Sequence, residues 1–110
     1  MTYEMIVEKA KELIASYDFS KAKGHLAVEI EITGEGSGLF YIEINDGTAD
    51  VQPYNYYDRD CRLTASAELL LKIVNGKADP VAAYTTGKLK VDGSIDKALE
   101  FSGKLKAARK

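Results

Sequence analysis

The side chains able to do chemistry are few and scattered. The chain has one histidine, His25, and one thiol, Cys61. Nucleophilic catalysis needs a nucleophile and a base within hydrogen-bond reach, and this pair is the only thiol–imidazole combination available. Its alternative is a strand-end histidine and a small apolar cysteine. A zinc site needs three or four nitrogen or sulfur ligands, so one His and one Cys argue against it, and no metal is expected. Asp58 and Asp60 in "YDRD" could offer oxygen ligands to a hard cation, or simply sit in a solvated loop. Asp46 and Asp50 in "NDGTAD" lack the ligand series of an EF-hand. No cofactor is expected.

Two glycine-rich stretches invite a phosphate reading. "GEGSG" (Gly34, Gly36, Gly38) has strand-period residues on both sides. A phosphate loop must lead from a strand into a helix N-terminus, so this one reads as a hairpin turn. "TTGKLK" fails as a Walker A loop, because Leu89 follows Lys88 and Ala82 holds the place of the first glycine. Seven tyrosines are more telling. Tyr54, Tyr56 and Tyr57 crowd one loop and Tyr84 sits on a short helical stretch. Tyrosine suits a wet–dry boundary, so these rings either rim an apolar site or cover a sheet edge.

The elements that must position these residues follow from periodicity. Ile6, Ala10, Leu13, Ile14 and Tyr17 share a helical stripe, with Thr2 as N-cap. In "HLAVEIEI", Leu26, Val28, Ile30 and Ile32 point one way, and Glu29 and Glu31 point to water. "LFYIEIND" repeats the pattern with Phe40, Ile42 and Ile44. A tight "NDG" turn then leads to "TADVQPY", an edge strand or the end of one, because Pro53 cannot donate to a ladder. "CRLTAS" is a fourth strand. "AELLLKIVNG" is a helix ended by Gly76 in the left-handed region. Asp79 and Pro80 start a short helix that ends at Gly87. "KLKVDG" is a fifth strand. A final helix follows, with Ile95, Ala98, Leu99, Ser102 and Leu105 on one stripe. Lys104, Lys106, Arg109 and Lys110 sit near its C-terminus, where cations are favoured. The order predicts an α+β domain over residues 1–110: a five-stranded, mainly antiparallel sheet with helices covering one face.

The whole chain is consistent with this. Its 110 residues make one domain, with 45% hydrophobic and 29% charged residues, as in ordinary soluble domains. A net charge of −2 argues against nucleic acid or an anionic membrane as the main partner, although a local basic patch is compatible with it. One cysteine suits the reducing cytoplasm. The N-terminus carries charges throughout and has no apolar core of a signal peptide. No run reaches the 18 apolar residues of a membrane span.

The set Gly76-Lys77, Asp79-Pro80, Ala83, Gly87-Lys88-Leu89-Lys90-Val91, Gly93 and Ala98-Leu99 resembles the sterol carrier protein 2 (SCP2) family of lipid-binding domains. The layout upstream is similar too, so the resemblance spans nearly the whole chain. It implies an apolar tunnel between sheet and helices that takes sterol, fatty acid, acyl-CoA or phospholipid. The chain departs from the family in two places. It ends in "AARK" rather than a peroxisome-targeting tail. Tyr84, Thr85 and Thr86 stand where relatives often carry aromatic pairs, which makes the pocket more polar there and disfavours sterol. The expected lining is Leu70, Ile73, Val74, Tyr84, Ile95, Leu99 and Leu105, with Phe40 and Ile42 as the floor. Ligand entry would need the final helix or the tyrosine-rich loop to open. The leading expectation is non-enzymatic lipid binding or transfer, with transient membrane contact. Beside it stand an interaction or dimerisation module and, third, an acyl-CoA thioesterase using His25, Asp58 or Asp60.

Overall fold

The computed structural model describes residues 1–109. Its elements run α1 (Tyr3–Ala15), β1 (His25–Thr33), β2 (Gly38–Asn45), β3 (Thr48–Gln52), β4 (Cys61–Ser66), α2 (Ala67–Val74), α3 (Pro80–Thr85), β5 (Lys90–Gly93) and α4 (Ile95–Ala108). This is the order read from periodicity, with the fifth strand two residues shorter at its start. Lys110, counted there among the cations of the last helical turn, lies outside the described residues.

Each helix begins at a short polar side chain that accepts from an otherwise unpaired backbone N–H. Thr2 takes Met5 N–H, Ser66 takes Leu69 N–H, Asp79 takes Val81 N–H and Ser94 takes Lys97 N–H. Pro80 follows Asp79 at the first helical position of α3, where its missing N–H costs nothing. Gly76 ends α2 with φ +81°, and a Cβ there would stand 2.6 Å from the Arg109 Nε. Glycine therefore both turns the chain and lets Arg109 donate to the Val74 carbonyl at 3.3 Å, which ties the C-terminus of α4 to that of α2.

The strands lie in the order β3-β2-β1-β4-β5. All pairs are antiparallel except β1 and β4, which run parallel with Val28 opposite Cys61 and Ile30 opposite Leu63. The sheet is mixed, with a parallel seam at its centre. Leu26, Val28, Ile30 and Ile32 of β1, Phe40, Ile42 and Ile44 of β2, and Cys61, Leu63 and Ala65 of β4 are buried. They face the helices, since alternate strand residues share a face. There they meet Ile6, Val7, Ala10 and Ile14 of α1, Leu70, Ile73 and Val74 of α2, and Phe101 and Leu105 of α4.

The other face was expected to meet water, and Glu29 shows that it does not do so throughout. β3 and β4 both run parallel to β1, so the chain must travel from one edge past β2 and β1. Residues 53–60 make that crossing on the face away from the helices. They bury Glu29 to 1% exposure. Its carboxylate accepts from Arg62 Nε at 2.6 Å and from the Tyr56 backbone N–H at 2.9 Å, with Arg59 Nε at 3.7 Å. The alternation correctly puts Glu29 away from the helices; the crossing segment is what removes it from water.

Candidate functional site

The residues singled out for chemistry fall on the strapped face, where they bind one another. His25 and Cys61 cannot act together. His25 follows the odd-numbered residues of β1 onto the strapped face, whereas Cys61, paired with Val28, points to the helices. Burial, aided by the nearby Asp60 carboxylate, pushes the Cys61 thiol up to about 11, which suppresses the thiolate a nucleophile requires. His25 Nε2 instead lies 2.6 Å from the Glu43 carboxylate. The Tyr56 hydroxyl donates to that same carboxylate at 2.7 Å. These two hydrogen bonds, with His25 the larger influence, hold the Glu43 carboxyl below the usual range. The bond to Glu43 is also the main cause that pushes the Tyr56 phenol up to about 12. Tyr41 packs edge-on against Tyr56, with centroids 4.9 Å apart.

Asp60 closes the strap. Its carboxylate accepts from Ala27 N–H at 2.8 Å and its own N–H donates to the Ala27 carbonyl at 2.8 Å. Asp58 is exposed. Among the described residues, no three His, Cys, Asp or Glu side chains gather as a metal site. No buried polar side-chain atom there lacks a partner. The tyrosine loop therefore holds the sheet's outer face and does not rim an apolar cavity. Tyr54 and Tyr57 project into solvent.

The space lies on the opposite face. A groove of about 150 Å³ opens between α3, β5 and the first half of α4. Pro80, Val81 and Tyr84 of α3 form one wall, and Ile95, Ala98, Leu99 and Ser102 of α4 form the other. The floor is Leu63 of β4, Ile73 of α2, Leu89, Val91 of β5 and Phe101. Only the Ser102 and Tyr84 hydroxyls bring side-chain polarity to it, so it can hold hydrocarbon and offers nothing to activate water or a carbonyl. Val81, Tyr84, Ile95 and Leu99 at its mouth are 44–51% exposed. Among the described residues, four of the eight exposed large hydrophobics thus sit around one opening, so their exposure is clustered rather than scattered.

The wall formed by α3 is lightly held. It spans six residues and buries only Ala83. Its return to β5 is fixed by the N–H groups of Lys88 and Leu89, which both donate to the Ala83 carbonyl at 2.9 and 3.1 Å. Few buried contacts and exposed backbone bonds are the physical content of easy local opening.

Of the nine side chains expected to line a pocket, Ile73, Tyr84, Ile95 and Leu99 border this groove. Leu70, Val74, Leu105, Phe40 and Ile42 are packed into the core instead, each under 5% exposed. The sequence reading missed Phe101, Leu89, Val91, Leu63 and Val81. Phe101 was the most legible of these, since an aromatic at i+6 from Ile95 lies on the flank of the helical stripe and its ring is 1% exposed. A second depression, about 620 Å³ and open, lies along the far side of α4 between Asp18, Lys21, Lys23, Glu100, Lys104 and Arg109. Lys104 is bound there to the Lys23 carbonyl and to Glu100.

No helix of the described residues is long and apolar enough to cross a membrane. Comparison with known proteins agrees with the geometry. The rabbit (Oryctolagus cuniculus) sterol carrier protein 2 is 26% identical over 96 residues, which cover 86% of this chain and 18% of the relative. The chain thus corresponds to less than a fifth of that protein. A fatty acid-binding protein of Yarrowia lipolytica is 42% identical over 52 residues, covering 47% of this chain and 40% of the relative. The solved structure of sterol carrier protein 2 from Yarrowia lipolytica in its apo form superimposes with a TM-score of 0.57 at 26% identity, covering 97% of this chain and 88% of that one. Residues 7–106 match the pattern of one family throughout, and the chain belongs to the SCP-2 sterol transfer family.

Proposed function

We propose that the protein binds a single hydrocarbon chain, such as that of a fatty acid or acyl ester, in the groove between α3, β5 and α4, and carries it without chemical change. The observation that carries this reading is the groove itself: an apolar-lined opening whose two walls are the least buried helical segments of the fold. Family membership supports lipid binding or transfer in general, and the Yarrowia fatty acid-binding relative supports an acyl ligand in particular. Ile73, Tyr84, Ile95 and Leu99 would contact the chain directly, with Phe101 and Leu89 beneath it. Phe40, Ile42, Leu70, Val74 and Leu105 would support that floor from the core.

Magnitudes set a condition on binding. Ligand pockets span roughly 300–1,000 Å³, whereas this groove holds about 150 Å³. The described conformation is a nearly closed one, and α3 would swing outward as the ligand enters. Each buried methylene contributes roughly 0.8 kcal/mol, so a ~16-carbon chain offers on the order of 10 kcal/mol before ordering costs. That is enough to open a six-residue helix and still bind in the micromolar range. Displacement of a fluorescent fatty acid at micromolar protein tests the reading. Saturable binding is expected, and no saturable binding of any acyl or sterol probe would sink it.

A second reading is an interaction or dimerisation module without a lipid ligand. Its support is that the chain matches only a short portion of its rabbit relative, as an accessory part of a larger protein would. A symmetric dimer that buries the groove mouth and excludes the probe would favour it.

A further inference from the structure

The strap presents two tyrosines that the fold does not use. Tyr54 is 64% and Tyr57 91% exposed. They flank Tyr56, whose backbone N–H is tied to Glu29 and whose hydroxyl is tied to Glu43. Asp60 pins the end of the same segment to Ala27. Single exposed apolar side chains are ordinary on a protein surface. Two large rings carried by one anchored segment are a different arrangement. A segment already held in place gives up little freedom when a partner binds, and tyrosine offers broad contact with few rotatable bonds.

The rings stand among carboxylates that the chain leaves without cations. Burial, then Asp50, Glu43 and Tyr54, pushes the Tyr41 phenol up, which puts two carboxylates and the Tyr54 ring near Tyr41. Glu43 leads the causes that raise the Tyr56 phenol, and Asp58, next in sequence to Tyr57, is among them. Arg59 and Arg62 both attend Glu29. Asp92 shares this face, since it lies opposite Arg62 in the β4–β5 register. Among the described residues, no lysine or arginine pairs with Glu43, Asp50, Asp58 or Asp92. Asp50 accepts only a neutral amide, from Gln52.

This charge selects the occupant. A second copy of the chain would set like charges against each other, and nucleic acid or an anionic bilayer would be repelled for the same reason. A cationic protein segment matches both features, because guanidinium planes stack on tyrosine faces while their N–H groups pair with carboxylates. From this we infer that the strapped face docks an arginine-rich segment of a partner protein, with guanidinium groups stacked on Tyr54 and Tyr57 and paired with Asp50 and Asp58. This surface lies across the sheet from the groove between α3 and α4, so a docked partner leaves the groove mouth free. The inference is independent of what the groove holds.

Amide NMR shifts of the labelled protein, titrated with an acetylated octapeptide alternating arginine and glycine, test it. The shifts are expected to saturate below millimolar peptide, to centre on residues 50–58 and to shrink as salt is raised. Tyr54→Ser/Tyr57→Ser should weaken binding about tenfold, and with both rings exposed the unfolding midpoint should not move. Asp50→Asn/Asp58→Asn should weaken it by a similar factor, about tenfold. Glu8→Gln/Glu12→Gln removes the same charge from α1 and should leave affinity within about twofold. A lysine–glycine octapeptide should bind about fivefold more weakly, since an ammonium group cannot stack or fork as guanidinium does. No saturable shift, shifts centred on α1 or α4, equal losses in the two acidic variants, or equal affinity for the lysine peptide would overturn the inference. So would a dimer formed without peptide that hides both rings. Fatty acid displacement by the Tyr54→Ser/Tyr57→Ser variant should match the native chain. A parallel loss there would place the tyrosines in the groove's function and overturn a separate docking surface, whereas failure of the native chain to bind the probe would sink the groove and leave this test standing.

Discussion

The two faces of the sheet use their side chains in opposite ways. On the strapped face the chain gathers its histidine, four charged residues and two tyrosines into one bonded cluster, and leaves no room among them. On the helical face it leaves room between α3 and α4 and lines it with carbon. A search for function guided by reactive residue types leads to the first face, and one guided by unfilled space leads to the second. The difference teaches that polar residues in this fold close a surface, whereas its unfilled space, the groove proposed to take the ligand, lies where apolar side chains have been left without partners.

The comparison can be broken at several points. Hydrogen exchange should show the greatest contrast. Amides of α3 and its C-cap, such as Ala83 and Thr86, should exchange at least a thousandfold faster than those of β1 beneath the strap, because local opening spans from near zero to the global stability. Similar protection in both would mean that α3 is no gate. Next is Arg62→Ala. Removing one partner of a buried charge pair costs roughly 3–5 kcal/mol, and the remaining Arg59 places this case near 3 kcal/mol by urea unfolding. Fatty acid affinity should be unaffected. A loss under ~1 kcal/mol would make the strap a surface ornament.

Smaller effects sharpen the picture. Leu99→Ser removes a half-exposed apolar wall and should weaken acyl probe binding about tenfold with the unfolding midpoint unchanged; a fall in stability with unchanged affinity would return Leu99 to the core. Smallest is Tyr56→Phe. The folded-state phenol is raised from 10.0 to about 12, so its contribution is complete below pH 10 and lost as pH rises through about 12. The variant should cost under ~1 kcal/mol at neutral pH and should flatten the decline in stability across that alkaline window. An unchanged decline would mean that the Tyr56–Glu43 bond contributes nothing. Glu43 acts in the other direction: its lowered pKa makes its contribution complete above the usual carboxylate range and lost as acid titrates it.

Much of the fold was legible because its signals are local. Period-two runs gave β1, β2 and β4. Asp79, Pro80, Gly76 and Gly87 gave the limits of the short helices, and Pro53 marked an edge strand or its end; it follows the last residue of β3, which is the edge. Two features were not local. The burial of Glu29 depends on which edge β3 occupies, and that follows from strand order, not from any property of "HLAVEIEI". The α4 stripe was read as one apolar face, but packing divides it: Leu105 turns to the core with Phe101 and Ala108, which were not counted on the stripe, while Ile95 and Leu99 turn to the groove mouth. Hydrophobicity alone cannot distinguish a side chain that packs on a neighbour from one that awaits a ligand, which is why only four of the nine expected lining residues border the opening.

The parallel seam at the centre of the sheet has a consequence for how the molecule comes into being. Val28 must find Cys61 across a loop that contains two whole strands, and no hairpin can deliver that pairing. Contacts between residues far apart in sequence are slow to form, so the β1–β2–β3 meander should assemble early and wait. Leu63, Phe101 and the rest of the groove floor come from the part that arrives afterwards. During that interval the apolar surfaces destined for the groove would be open to whatever is nearby, and a lipid present then would meet its site before the walls had closed.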